Sequence, residues 1–570
     1  MSRPPVGGPL FVAGITVAIV VTWLGRFLIP GITNDHYVHL SRGWQILQGD
    51  VPTRDFFDPG LVLQYYTSAA VLLWSGHNLF GETALTAAFM AAGAGLTFAA
   101  AARLSRSLWL AACATVIATM SLPRLYNYPK SFFYVLAIVV AWRYAHQPGR
   151  GALVWLAVLT SVAFLFRHDH AVYIAASLVI MLAIRHWDQP RRAVTSVAQY
   201  TALALLLVSP FLVFIQTTTG LTRYIGGSSN QLGGLATFRF NRLPVHVDLD
   251  APLLTVAPPS DDDPSKLARL QRRFPALRVQ LLPGFFTSGN AFAWFYYVTF
   301  LLPFVGLLLV ARASWRGDVG RAEAAVAGMA SVLCVILVQT LVRGSPDSRL
   351  PDVANPIAVV AAWVSARCLR AAIGTKPWVR RATMTLVAAG IVITAWSVGT
   401  FAETMANVRA SRILSEGIGR RVIATAELLQ ARPIDAWPRE APGLGGLMRY
   451  VFECTADTDR LFVTWFGPDV YFTTERRFAG GQAYLVAGWH ASPEDQRLTV
   501  SRLEQQRVPI VIEKTSVDYE AAFPLVAEYV RSRYGEVPVK SDSMRDYRVL
   551  VDKGLTPTGT YEPLGTPCYR

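Results

Sequence analysis

Apolar residues fall along this chain in runs of about twenty, the length that crosses a bilayer as a helix. The runs cover roughly 10–30, 61–80, 82–102, 108–122, 131–145, 151–166, 170–185, 194–216, 291–311, 322–342, 353–371 and 382–402. One of the twelve differs from the rest. Residues 61–80 hold Gln64, Tyr65, Tyr66, Thr67, Ser68, Trp74, His77 and Asn78, a mixture suited to the membrane surface, where amphipathic aromatics settle. The run from Phe11 to Pro30 is followed by no small-residue cleavage site and reads as a retained anchor helix.

After about residue 403 the pattern changes. Helical periodicity runs over 405–431. Short apolar segments with strand character follow at Leu461–Phe466, Val470–Thr473, Val508–Glu513 and Tyr547–Val551, with a helix over 518–534 between the last two. This alternation predicts a small α/β domain. It carries no glycine-rich phosphate loop and no nucleophile elbow.

Charge fixes the topology. Arg103 and Arg106; Arg143 and Arg150; Arg185, Arg191 and Arg192; Arg312, Arg316 and Arg321; and Arg367, Arg370, Lys376, Arg380 and Arg381 form separate basic groups between runs. If 61–80 lies on the surface and the other eleven runs span, every one of these groups is cytoplasmic, as basic loops prefer. The expected fold is therefore a polytopic α-helical membrane protein of about eleven spans with a C-terminal extracytoplasmic α/β domain. The transmembrane domain covers 1–402, with outer loops at 31–81 and 217–290. The soluble outer domain covers 403–570.

Composition agrees. Only 16% of the 570 residues are charged, against about 25% in soluble domains. The net charge of +15 follows from the cytoplasmic basic groups; no basic stripe interleaved with aromatics suggests nucleic acid. Cys113, Cys334 and Cys368 lie in or at the ends of apolar runs and read as packing residues. Cys454 and Cys568 both fall in the C-terminal domain; they could pair outside the cytoplasm, which the sequence alone does not show. The acidic run Asp261–Asp263, among prolines, reads as a solvated loop tip.

Ionisable residues at a membrane edge are costly and mark candidate chemistry. The densest group follows the first span: Asp35, His36 and His39, then a helical stretch, then Gly49 to Gly60 with Arg54 and Asp55. Asp35 at the water boundary is placed to take a proton from an incoming hydroxyl, or to cap the helix that follows. Arg167, His168, Asp169 and His170 fill a turn between two short spans. Arg167 could bind a phosphate bidentately or merely pair with Asp169. Arg343 and Arg349 flank another outer turn, and Arg124 and Lys130 a fourth. One acidic loop thus faces several cationic turns on the outer side. That pattern fits a lipid-phosphate leaving group held by cations while a carboxylate activates the acceptor; it also fits an anion transporter.

The chain resembles the C-type superfamily of membrane glycosyltransferases, which includes protein O-mannosyltransferases, aminoarabinose transferases of lipid A and dolichyl-phosphate-mannose mannosyltransferase-like proteins. The resemblance rests on Asp35 just after the first span, then a short helix, then Gly49, Pro52 and Asp55, then an aromatic segment from Leu61 to Phe80-Gly81. It extends through the spans to about 216 and more loosely to 402; Asp469–Arg477 is similar to the outer domain of bacterial members. It implies inverting transfer of a sugar from a polyprenyl-phosphate donor to a cell-envelope glycan, lipid or protein acceptor at a bacterial inner membrane. Asp35 would be the base and Asp55 a second catalytic acid. Arg54, Lys130, Arg167, His168, Arg343 and Arg349 would hold the lipid phosphate. A divalent metal is left open. Where many relatives carry an acid after the third span, this chain reads Asn127-Tyr128-Pro129-Lys130. Arg167–His170 stands where some relatives have a Lys-Gly element. A catalytically silent binding or assembly subunit is the competing reading. A transporter is disfavoured because no two related halves with broken spans are seen.

Overall fold

The computed structural model describes residues 8–29, 31–226, 288–339, 341, 346–373, 375–397, 406–539 and 545–570. Arg343 and the Asp261–Asp263 run lie outside them.

Thirteen helices precede residue 398 among the described residues: α1 Pro9–Leu28, α2 Asn34–Leu47, α3 Val62–Ser75, α4 Phe80–Ser105, α5 Leu108–Met120, α6 Tyr128–His146, α7 Arg150–Phe166, α8 His168–Arg185, α9 Pro190–Thr218, α10 Ser288–Arg316, α11 Arg321–Val338, α12 Pro346–Ala372 and α13 Pro377–Ser397. Eight of them (α1, α4 and α8–α13) are long and apolar enough to cross a membrane. Apolar α5 and α7 are shorter. The 19-residue α6 carries Lys130 in its first turn and Arg143 in its last. With α2 and α3 set aside, these are the eleven helices that the charge argument selects.

Helix α3 has 14 residues, about 21 Å at 1.5 Å each, no shorter than the 13-residue α5, so its faces rather than its length set it apart. One face of it, including Gln64, Tyr65, Ser68 and Leu72, is buried, while Leu73 and Trp74 are exposed. A helix with one buried polar-aromatic face and an exposed apolar edge suits the interface. Gly43 on α2 lets the two helices close up: a Cβ there would lie 2.9 Å from the Ala69 backbone nitrogen. In α9, Pro210 cannot donate to the Leu206 carbonyl, which instead accepts the Ser209 hydroxyl at 2.8 Å, the repair expected at membrane depth.

The helical periodicity over 405–431 is broken by Gly417 at φ +82°, leaving α14 Ile413–Glu416 and α15 Ile418–Gln430. Helix α16 Leu444–Cys454 then leads into a five-stranded sheet of order β2-β1-β3-β5-β4. Strand β1 Arg460–Val463 pairs in parallel with β2 Arg477–Phe478 and with β3 Ile510–Lys514. Strands β3 and β4 Tyr534–Val537 both pair antiparallel with β5 Tyr547–Asp552. Hairpin β6 Gly559–Tyr561 and β7 Thr566–Cys568 closes the chain. Three expected segments hold as strands. The fourth, Val470–Thr473, is instead helix α17 Pro468–Thr473. Pro468 in the first turn and Asp469 beside the helix N-terminus outweigh the β-formers after them. The helix expected over 518–534 is shorter, α19 Pro524–Arg533, and α18 Pro493–Gln505 precedes β3. Cys454 and Cys568 form a disulfide.

By packing the chain divides into two units. One draws on the described residues of 8–18, 94–123 and 288–410. Its buried Glu323 at the start of α11 accepts from Trp363 Nε1 at 3.1 Å and pairs with Arg106 at 3.1 Å and Arg370 at 4.0 Å. The second draws on the described residues of 19–93, 124–226 and 411–570. In it, loop 48–61, the turn before α6, the start of α8 and the sheet domain meet. The bonds include Gln64 Nε2 to the Tyr126 carbonyl at 3.2 Å, His168 N to the Gly60 carbonyl at 3.3 Å, and Gln45 Nε2 to the Phe478 carbonyl at 3.2 Å.

Candidate active site

Thr33 is the N-cap of α2 but makes no side-chain cap bond, and Asp35 sits in the first turn. The Asp35 carboxylate therefore does not act as the cap. Its Oδ2 lies 4.0 Å from Arg124 Nη1, with the two side chains 41% and 47% exposed. An ion pair that long and that wet contributes little to stability, so the carboxylate is open to an incoming group.

Behind it the same helix is buried. His36 is pushed down to about 3 by burial. His39 is held well below its ordinary value by burial first, then by His36, Arg42 and Arg167. Neither nitrogen of His36 has a hydrogen-bond partner among the described residues. His39 Nε2 sits 3.2 Å from Gln64 Nε2. Among the described residues no three His, Cys, Asp or Glu side chains converge as metal ligands.

Arg42, one turn further on, is buried with its guanidinium 5.1 Å from the Tyr65 ring and 5.2 Å from the Tyr484 ring. Burial works against its charge, and Tyr65, Tyr484 and Asp58 outweigh that and raise its pKa. The Tyr484 hydroxyl is raised by burial, against Arg42, with Asp35 and Asp58 adding to the rise. Asp58 Oδ1 accepts from Gly60 N and Leu61 N, both at 2.9 Å, and its Oδ2 accepts from the Tyr224 hydroxyl at 3.0 Å. Gly60, at φ +97°, is required: a Cβ there would stand 2.5 Å from His168 Nδ1.

Arg167 Nε forms an ion pair with Asp169 Oδ1 at 2.8 Å and remains 37% exposed. Its charge also acts on His39 and Tyr65. Lys130 is buried in the first turn of α6, within the field of Asp169 and His170. His168 Nε2 lies 3.4 Å from the Tyr224 hydroxyl. Asp35, Lys130, Arg167 and His168 therefore belong to one packed unit.

Arg54 and Asp55 are engaged with each other. Arg54 Nη2 meets Asp55 Oδ2 at 2.7 Å, Arg54 Nε meets Oδ1 at 3.0 Å, and Val51 N donates to Oδ2 at 2.8 Å. Burial alone would raise the Asp55 carboxyl, but Arg54 and the Val51 N–H outweigh it and hold it below its ordinary value. Arg349 lies on α12 in the other unit, and its buried Nε has no hydrogen-bond partner among the described residues. Arg42, Tyr224 and Tyr484 carried no sequence signal, because each gains its meaning from a partner distant in the chain. Asp58, in an Asp-Pro-Gly string, reads locally as a turn residue, which it also is.

No family model matches this chain, and no curated protein matches it. Among solved structures, the crystal structure of ArnT from Cupriavidus metallidurans in the apo state aligns with 95% of this chain and 97% of that one, at 15% identity and a TM-score of 0.42.

Proposed function

We propose that the protein is a membrane glycosyltransferase. It moves a sugar from a polyprenyl-phosphate donor to a cell-envelope acceptor on the outer face of a bacterial inner membrane. The observation that carries this reading is the half-exposed Asp35 carboxylate, loosely faced by Arg124 and packed in one unit with Lys130 and Arg167. Asp35 accepts the proton of the acceptor hydroxyl as that oxygen bonds to the anomeric carbon. The bond from that carbon to the phosphate oxygen breaks, its electron pair goes to the phosphate, and the configuration inverts. Arg124, Lys130 and Arg167 are the cations available to the departing phosphate. Asp55 is already satisfied by Arg54 and Val51 and here serves to hold the loop. No three His, Cys, Asp or Glu side chains converge beside Asp35 among the described residues, and no step is routed through a divalent ion.

The orientation has two independent supports. All five basic groups fall on the cytoplasmic side when eleven helices span. The Cys454–Cys568 disulfide suits an oxidising compartment. A cysteine placed at exposed Gln505, in a background without Cys113, Cys334 and Cys368, should react with an impermeant thiol reagent in intact cells. One at Thr375 should not; the reverse labelling overturns the orientation. The reaction is tested with the purified protein and a panel of polyprenyl-phosphate sugars. Release of polyprenyl phosphate that disappears in Asp35→Asn is expected. No release from any donor, with acceptors supplied, would turn the reading toward a silent assembly subunit.

A further inference from the structure

Beside Asp58, inside the second unit, lies a pocket of about 240 Å³. Loop 53–58, the segment 219–226 and the start of α18 form its walls. It is smaller than the roughly 300–1,000 Å³ sites that take drug-sized ligands, so it has room for one ring. Phe57 stacks on His490 with centroids 4.2 Å apart and planes at 17°, and the Arg502 guanidinium lies 5.0 Å from the Phe57 centroid, so the stacked pair gives the pocket an apolar edge. The rest is polar. Arg223 pairs with Asp495 at 3.2 Å and Glu494 at 3.4 Å, and Tyr224 donates to Asp58.

Two features show that the fold does not use this wall fully. Thr53 is 7% exposed, yet its Oγ1 has no hydrogen-bond partner among the described residues. Its φ of +69° is rare for a β-branched residue, and such strain gathers at ligand sites. His490 Nε2 is likewise buried without a partner among the described residues. The charges narrow the ligand. A phosphate would meet three carboxylates, Asp58, Glu494 and Asp495. A cation would lie against Arg223. A neutral ring with an apolar face and a rim of hydroxyls meets neither objection: it offers donors to the carboxylates and both donors and acceptors to Thr53 and His490.

We propose that this pocket seats a single neutral sugar ring against the edge of the Phe57–His490 pair, with Thr53, His490, Asp58 and Asp495 bonding its hydroxyls. The inference rests on the reading above only in that the protein handles sugars, and the ring can belong to the donor or to the acceptor.

The test uses the full-length protein in detergent with methyl glycosides of common hexoses and pentoses, followed by saturation-transfer NMR. Thr53→Val keeps shape and branching and removes an unpartnered hydroxyl, a change that is neutral or stabilising for the free protein. At least one glycoside should bind, with affinity about five-fold lower in Thr53→Val and lower again in Phe57→Ala. Binding by no glycoside, or equally by wild type and Thr53→Val, overturns the proposal. The two readings fail separately. Thr53-dependent binding without transfer from any donor leaves the pocket standing and removes the transferase. Transfer with unchanged KM for donor and acceptor in Thr53→Val does the opposite. A rise in KM for the donor alone assigns the ring to the donor, and a rise for the acceptor alone to the acceptor; either supports the site.

Discussion

The two ends of the segment between α1 and α3 carry similar residues and use them in opposite ways. At its start, Asp35 faces Arg124 at 4.0 Å with both side chains near half exposure. At its end, Asp55 is gripped by the Arg54 guanidinium and the Val51 N–H. A carboxylate whose lone pairs are all engaged holds a turn and has little left for a substrate. One that the fold leaves loosely paired can take a proton. The contrast lies in the number and closeness of partners, which neither local sequence discloses.

The sharpest break of this comparison is Asp35→Asn. A positioned general base contributes typically ~10²–10⁴-fold, so transfer should fall by about three orders of magnitude. The thermal midpoint should stay in place, because the pair with Arg124 is long and exposed. Rates that persist in Asp35→Asn would place the base elsewhere.

The cations repeat the contrast. Arg124 Nη1 donates to the Tyr126 hydroxyl at 3.1 Å and lies 4.0 Å from Asp35, whereas Arg167 pairs with Asp169 at 2.8 Å. If Arg167 also binds the donor phosphate, Arg167→Ala loses a charge-assisted contact worth about 1.5–3 kcal/mol. The kcat/KM for the donor should then drop about 10–100-fold with the protein still folded. An unchanged donor dependence together with a lower thermal midpoint would reduce Arg167 to the turn-closing ion pair and leave the phosphate to Arg124 and Lys130.

How far the sequence reached follows the same line between local and distant partners. Helix α3 is legible as a helix with a mixed face because Gln64 and Trp74 interrupt its apolar run, and the structure buries Gln64 while exposing Trp74. The strands at 460–463, 510–514 and 547–552 were legible as apolar β-forming runs. Helix α17 was misread because Pro468 and Asp469 set the backbone before β-propensity could act. Strand β4 was missed because it follows α19 with no breaker between them: Arg533 ends the helix and Tyr534 begins the strand. In the site, Asp35 was visible from its place after a span. Arg42, buried between Tyr65 and Tyr484, was not: an arginine on a short helix becomes informative only when the sheet domain supplies the second ring.

The smallest expected effect lies at the tight end of the segment. Asp55→Asn removes the partner of Arg54 and weakens the acceptor of the Val51 N–H. With Arg54 55% exposed and Asp55 32% exposed, solvent screens the pair, and the loss is about 1 kcal/mol. Transfer per folded molecule should change by no more than a few-fold. The pH dependence supplies the sign. The folded-state carboxyl sits below its ordinary value, so it contributes stability that is fully present above the unfolded value of about 3.9. That stability is lost as pH falls through the folded value. The gap in thermal midpoint between wild type and Asp55→Asn should therefore be constant from pH 7 to about pH 5 and shrink below about pH 4. A gap that instead widens on acidification, or a transfer rate that falls as far as in Asp35→Asn, would make Asp55 a second working acid and erase the difference between the two ends of the segment.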